Sequence, residues 1–344
     1  MDRFAWQSAR SVAEAASLGQ CTVAEAMLDD TGGADRVVLK AGGIDLLDLM
    51  KEGLLHPGRL VNLRDIPGLN AIAADASRIG ALVTLEQLSV HPATRLSYTA
   101  VANAAGASAS PQIRHVATLG GNFLQRPRCW YFRSVAHHCA RKGGDHCFAF
   151  SGENQYHAVF GHDGCAIVHP STVATALLAH DARVELVNAQ GATRVVPLAS
   201  FLVGPDVDVT RETDLRAGEV LTAVLLPPVA AGSRSVFMKQ AERLSADWPI
   251  ADVAVVLDRA PDGQCRAASI VLGAAAPVPW RARTAEATLT GRVIDAAAAR
   301  AAGEAAIAGA APLSHNAYKL PILATLVRRA VLAAAEIPDQ ETMP

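Results

Sequence analysis

Four of the chain's six cysteines fall in one stretch, at positions 129, 139, 147 and 165, and they constrain the local architecture more than any other feature. Intervals of nine, seven and seventeen residues are too long for a zinc ribbon, whose ligands come in close C-x2-4-C pairs. Thiolates that share an iron–sulfur core must come from loops able to wrap a compact inorganic body, commonly four thiols to one cluster. The stretch 129–169 also holds six of the eleven histidines and seven of the sixteen aromatic residues, which is not the composition of an ordinary core. Three readings stay open from the residues alone. One is an iron–sulfur centre on Cys129, Cys139, Cys147 and Cys165; another is a Cys/His zinc site, since His137, His138 and His146 lie between the thiols; the third is four buried thiols acting as small hydrophobes.

At 344 residues the chain exceeds the usual size of one core, so two or three domains are expected. Its 51% hydrophobic and 19% charged content is that of an ordinary globular protein, and a net charge of −2 offers nothing to nucleic acid or an anionic membrane. No run approaches the roughly 18 apolar residues of a membrane span. The opening MDRFAWQSARS lacks the basic-then-apolar pattern of a secretory signal, so a cytoplasmic location is expected from this sequence by itself. Cys21 and Cys265 lie far from the other four, and no disulfide framework is legible.

Periodicity predicts a helix over 11–30, a strand over Arg36–Lys40, and a short amphipathic helix through Leu46, Leu49, Met50 and Leu54 that Pro57-Gly58 ends. Residues 59–72 alternate like strands broken at Pro67-Gly68, and 77–88 repeat the pattern before a helix. Residues 97–109 suit a buried helix, His115–Leu119 a strand, 171–187 a helix followed by a strand, and 218–227 another strand. Pro227-Pro228-Val-Ala-Ala-Gly is the best linker; beyond it come strands over 235–272 around Pro261-Asp262-Gly263, then Ala-rich helices over 284–336. Gly42-Gly43 and Gly120-Gly121 are each expected to follow a strand, where glycine lets backbone N–H groups approach an anion closely. Neither begins a G-x-G-x-x-G turn, and an ordinary tight turn is the competing reading.

The strings LKAGGIDLLDLMKEGL (39–54), VNLRDIPGL (61–69), IRHVATLGGN (113–122) and FMKQAERLSADWPIADVAVVL (237–257) resemble the FAD-binding medium subunit of the molybdenum hydroxylases, the xanthine dehydrogenase and carbon monoxide dehydrogenase family. The likeness runs over nearly the whole chain. RPRCWYFR, CARKGGDHC and GCAIVHPS within 126–171 further resemble the subgroup with an extra 4Fe-4S cluster in this subunit, the bacterial periplasmic aldehyde oxidoreductases above all. The hydroxybenzoyl-CoA reductase subunit has a similar insertion with different spacing before its last cysteine.

That resemblance implies an α+β fold: a two-part FAD-binding domain of the vanillyl-alcohol-oxidase type over 1–57 and 58–228, an iron–sulfur insertion at 124–168, and an α+β C-terminal domain of the CO dehydrogenase flavoprotein type over 229–338. It implies FAD contacts from Leu39, Lys40, Ala41, Gly42, Gly43, Ile44, Asp45 and Leu46, from Thr118, Gly120, Gly121 and Asn122, and from Thr172, Val220, Leu221 and Lys239. Thr172 stands where the family usually has an acidic residue toward the ribose, and a hydroxyl lacks the charge-assisted strength of a carboxylate. Cys129, Cys139, Cys147 and Cys165 would hold the 4Fe-4S cluster, with Trp130, Tyr131, Phe132, Phe148 and Phe150 excluding water and Arg126, Arg128 and Arg133 offsetting its charge. The implied role is an electron conduit. A large molybdopterin subunit oxidises the substrate, a small subunit carries 2Fe-2S clusters, and FAD here passes electrons to an external acceptor, with no catalytic acid or base of its own. Periplasmic residence is open through co-export with a signal-bearing small subunit. A metal-stabilised scaffold without redox chemistry and a stand-alone FAD oxidase are the other classes.

Overall fold

The computed structural model describes residues 1–28, 36–243 and 246–339. The chain opens with β1 (Ala5–Ser8), α1 (Val12–Leu18), α2 (Val23–Leu28), β2 (Val37–Lys40), α3 (Ile44–Lys51) and β3 (Arg59–Asn62). The three strands form one parallel sheet in the order β1-β3-β2. The single helix expected over 11–30 is two helices within the described residues, and positions 29 and 30 lie outside them. Gly19 ends α1 by returning its N–H to the Ala15 carbonyl, and a Cβ there would meet the Leu39 side chain. Ser11 starts α1 by accepting from the Glu14 N–H.

The second part comprises β4 (Arg78–Gly80), α4 (Leu85–Val90), α5 (Pro92–Ser97), α6 (Thr99–Gly106), α7 (Pro111–Arg114), α8 (Leu119–Phe123), α9 (Thr172–Ala179), β5 (Arg183–Asn188), β6 (Thr193–Pro197), α10 (Leu198–Phe201) and β7 (Glu219–Leu225). Its antiparallel sheet runs β4-β7-β5-β6. Thr84 and Gln87 form a reciprocal capping box at the start of α4. No strand precedes Gly120-Gly121, contrary to the sequence expectation. His115 closes α7, Thr118 caps α8 by accepting from the Gly121 N–H, and both glycines lie within the five residues of α8. The alternation in His115–Leu119 misled because Ala117 and Leu119 are buried by helix packing and a single bridge, Thr84 to Thr118, rather than by a sheet.

Residues 124–168 contain only two 3-10 turns, Ala140–Lys142 and Phe148–Phe150, and otherwise irregular backbone. Beyond the Pro227-Pro228 segment come β8 (Ser233–Gln240), β9 (Ala251–Arg259), β10 (Cys265–Gly273), β11 (Trp280–Arg281), α11 (Arg283–Leu289), α12 (Ala296–Ala306) and α13 (Lys319–Ala334). Their antiparallel sheet runs β11-β10-β9-β8, with Lys239 opposite Asp252 and Asp252 opposite Gly273. The three Ala-rich helices pack on this sheet around Val253, Val255, Leu257, Ile270 and Leu272. All eight residues of α9 are buried, because it packs in one core with the sheet of the second part and also meets Ala254 and Val271 of the third. Such a helix is apolar all round, which fits a central position. No helix among the described residues is long and apolar enough to cross a membrane.

Candidate functional site: a large cleft beside a four-cysteine pocket

A cavity of about 740 Å³ opens between the three parts of the chain. That volume lies in the range of small-molecule and cofactor sites. All sixteen residues expected to contact FAD line it: Leu39 to Leu46 from the turn between β2 and α3, Thr118, Gly120, Gly121 and Asn122 from α8, Thr172 from α9, Val220 and Leu221 from β7, and Lys239 from β8. Segments separated by up to 200 positions therefore converge on one wall.

Local geometry explains the glycines, and revises the reason for one pair of them. Gly43 has φ +84° and stands at the N-cap of α3, where no side chain caps the helix. The first turn of α3 is thus open to an anion, which the helix dipole favours. Gly42 is needed for another reason: a Cβ there would strike the Val116 carbonyl oxygen, so the α7–α8 connection can lie directly on the β2–α3 turn. Gly120 and Gly121 have no left-handed φ. A Cβ at Gly120 would come within 2.8 Å of Leu221, and one at Gly121 within 2.9 Å of Thr118 Oγ1, so these positions need glycine for close approach and not for backbone twist.

Polar groups around the cleft are firmly held. Lys40 is buried, donates to the Ala41 carbonyl at 3.2 Å and lies 5.3 Å over the Trp6 ring; burial lowers its pKa. The Asn122 Oδ1 accepts from Ser171 Oγ at 2.6 Å, and that hydroxyl also caps α9. Thr172 Oγ1 lies 2.7 Å from Ser108 Oγ and 3.4 Å from the Ala104 carbonyl. Its hydroxyl is thus committed to Ser108 and the Ala104 carbonyl of α6. Lys239 Nζ donates to the Ala107 carbonyl at 2.6 Å and the Asp247 carbonyl at 3.1 Å, with its pKa lowered by burial.

The four cysteines also converge. Cys129, Cys139, Cys147 and Cys165 line one small pocket with Tyr131, Phe132, Ala140, Arg141, Phe148 and Ile167. Its free volume is about 10 Å³, roughly the room one water needs. Among the described residues no three His, Cys, Asp or Glu side chains are placed to hold a single metal ion. The sulfurs nonetheless sit in a nest of donors: the backbone N–H groups of Tyr131 and Phe132 point to Cys129, those of Ala149 and Ala166 to Cys147, and that of Ile167 to Cys165. Arg141 Nε lies 3.4 Å from Cys165 Sγ. Cys147 donates its proton toward Cys165, which with Arg141 lowers the Cys165 thiol to about 5 and raises Cys147. Burial pushes Cys129 up to about 11. This donor set matches thiolates bonded to a cationic inorganic core, whose potential such N–H···S bonds tune.

The supporting residues differ from expectation in their aromatic wall and their guanidinium, and one histidine joins them. His157, and not His137, His138 or His146, approaches a sulfur, with Nε2 3.3 Å from Cys129 Sγ. Phe150 is exposed at 43% and Trp130 packs on Tyr156 and His157, so Tyr131, Phe132 and Phe148 make the aromatic wall. Arg128 and Arg133 pair with Asp45, leaving Arg141 as the guanidinium beside the thiols. Sequence reasoning missed Glu212, which joins the two pockets. It accepts from Arg141 Nη1 at 2.6 Å, and its other oxygen lies 3.3 Å from Arg126 Nε; Arg126 in turn lies 4.9 Å over the Phe132 ring. Nothing in the irregular stretch around Glu212 signals this in one dimension. Trp248 was likewise unassigned and stacks on Arg128 at 4.8 Å along the cleft.

The chain is similar along its length to proteins of one group. A family described as the FAD binding domain in molybdopterin dehydrogenase matches residues 2–229, and one described as the CO dehydrogenase flavoprotein C-terminal domain matches 236–334. The aldehyde oxidoreductase FAD-binding subunit PaoB of Escherichia coli K12 is 37% identical over 86% of this chain and 90% of its own length. The carbon monoxide dehydrogenase medium chain of Hydrogenophaga pseudoflava is 29% identical over 96% and 97% of the two chains. Among solved structures, a carbon monoxide dehydrogenase from the same organism superposes with a TM-score of 0.71 at 28% identity over 97% of both chains, and quinoline 2-oxidoreductase from Pseudomonas putida 86 with 0.71 at 25% over 97% and 98%. A three-part fold with a cofactor-sized cleft, an open helix start at Gly43 and these two adjoining matches together place the chain among the FAD-binding subunits of the molybdenum hydroxylase family of oxidoreductases.

Proposed function

We propose that this chain is the flavin- and 4Fe-4S-carrying electron-transfer subunit of an aldehyde-oxidising molybdenum hydroxylase. The observation that carries the reading is the adjacency of two pockets of different chemistry: a large cleft lined by helix starts, glycines and lysines, and a small pocket lined by four thiols, bridged by Arg126, Glu212 and Arg141. FAD fits the cleft by volume and by donors; its pyrophosphate suits the open start of α3, and Val220 and Leu221 give an apolar surface for a ring. FAD supplies an acceptor that takes electrons singly and releases them singly or in pairs. The protein's own residues bind, orient and exclude water. Cys129, Cys139, Cys147 and Cys165 would hold the cluster, with Arg141 and the backbone N–H donors compensating its charge.

Aldehyde as substrate class rests on the 37% identity to the aldehyde oxidoreductase subunit. The substrate would be bound and oxidised by a molybdopterin-carrying large subunit, with a 2Fe-2S small subunit feeding electrons to this chain and an external acceptor taking them away. Co-expression with its genomic neighbours tests the assignment. A stable complex should form that reduces a dye acceptor with aromatic or aliphatic aldehydes, and the isolated chain should have no aldehyde turnover. Aldehyde-independent oxidase activity of the chain alone would favour the stand-alone flavin oxidase instead.

A further inference from the structure

Behind the cleft lies a buried charge group that the electron-transfer reading does not use. Asp252 of β9 is 1% exposed, and Lys319, at the start of α13, is fully buried. Lys239 of β8 stands directly opposite Asp252 in the sheet, which brings their Cβ atoms to about 5 Å. Opposite Asp252 on the other side is Gly273 of β10, where a Cβ would strike both the Asp252 Oδ1 and Thr175 Oγ1. The carboxylate therefore lies flat over Gly273, where no side chain competes with it, and the Thr175 hydroxyl of α9 lies beside it and favours its ionised form. Lys319 donates to the carbonyls of His157 at 2.9 Å and Ala274 at 2.5 Å. The groups facing Asp252 are thus Lys239 from β8, Lys319 from α13 and Thr175 from α9, with only glycine from β10. Asp252 Oδ1 has no hydrogen-bond partner. A buried carboxylate with one oxygen unpaired is costly when ionised, and protonation relieves that cost.

We propose that Asp252 is a proton acceptor coupled to the redox state of the flavin in the cleft, acting through Lys239, which lines the cleft and shares its sheet position. The inference rests on the cleft being the FAD site. The balance is two electrons and two protons: FAD takes two electrons, delivered by a one-electron iron–sulfur donor in two steps, and one proton, to give the anionic reduced flavin, while the second proton converts Asp252 from carboxylate to acid. Once Asp252 is neutral it no longer offsets the charge of Lys239, whose ammonium keeps its bonds to the Ala107 and Asp247 carbonyls and compensates the anionic flavin through its field. Burial already brings Asp252 up to about 7, so the group is poised where a nearby change of one charge alters its protonation.

The test is the flavin midpoint potential of the FAD-loaded full chain, measured against pH by mediator-equilibrated spectroelectrochemistry with dithionite as reductant. Each proton taken up per electron pair steepens the line by about 30 mV per pH unit. Below about pH 7 the carboxyl is already protonated and parent and Asp252→Asn should run parallel; above it the parent should be steeper by one proton. Thr175→Val, which removes the hydroxyl that favours the carboxylate, should move the break to higher pH. Equal slopes above pH 7 in a fully FAD-loaded Asp252→Asn protein overturn the proposal. If that variant takes up no flavin, an unmoved break in Thr175→Val does so. Failure of the parent chain itself to bind FAD would instead sink the reading of the cleft, which keeps the two outcomes separate.

Discussion

Replacing Glu212 by Gln should destabilise the chain far more than any surface substitution, because among the described residues it is the one carboxylate paired with both Arg126 and Arg141. Glu212, Arg126 and Arg141 are 6%, 2% and 1% exposed, so water cannot take over. Breaking one partner of a buried pair costs about 3–5 kcal/mol. The lower end applies here, since Arg141 keeps a bond to the Arg211 carbonyl, and Arg126 keeps the Thr210 carbonyl and the Phe132 face. Gln preserves the volume and one acceptor but turns an amide donor toward one guanidinium. At roughly 2–4 °C per kcal/mol for a unit of this size, the melting temperature should fall by about 6–12 °C. The assay is thermal unfolding by circular dichroism with FAD loading followed in parallel. A variant melting within about 2 °C of the parent would refute the view that this carboxylate carries the junction between the pockets.

Gly43→Ala should lose FAD while Gly68→Ala keeps it. Both residues have positive φ, +84° and +81°, and share a strain of about 1–2 kcal/mol. Only the first lies on the cleft, so equal flavin content after gel filtration would remove the Gly43 turn from the site. Single Ser replacements at Cys129, Cys139, Cys147 and Cys165 should each lower iron content, whereas Cys21→Ser and Cys265→Ser should not; iron analysis with low-temperature EPR decides. Acid should destabilise the fold early. Burial holds His169 and His180 down to about 4, below the unfolded value near 6.5, so their stabilising neutrality is complete above pH about 6.5 and is lost as pH falls toward 4. Each contributes up to about 3 kcal/mol, and an unfolding midpoint in urea that stays flat from pH 7 to 4 would contradict it.

The legible and illegible parts of this fold divide along physical lines. Strands β7 to β10 and helix α9 were readable because a buried face leaves a period in the sequence, and the Pro227-Pro228 break was readable because proline cannot sit inside a sheet. The break at Gly19 was not, since the apolar spacing of Val12 to Met27 continues through it while Leu39 packing requires the glycine. His115–Leu119 alternates like a strand, yet the chain there turns from one helix into another. The sixteen cleft residues were named only because the strings around them resemble a family; nothing in Lys239 alone sets it apart from an exposed lysine. Glu212 and Asp252 escaped altogether. Their meaning lies in partners 71 to 86 and 13 to 77 positions away, and a lone acidic residue in a loop or strand carries no trace of them.

The central claim is that one chain holds a flavin and an iron–sulfur cluster in neighbouring pockets. Anaerobic purification followed by flavin, iron and acid-labile sulfide analysis of the same sample tests it most directly. The account predicts one FAD and about four irons with four sulfides per chain, with flavin retained when Cys139→Ser removes the iron. A protein that carries flavin with zinc or no metal would contradict the cluster, and one that carries neither would contradict both pockets.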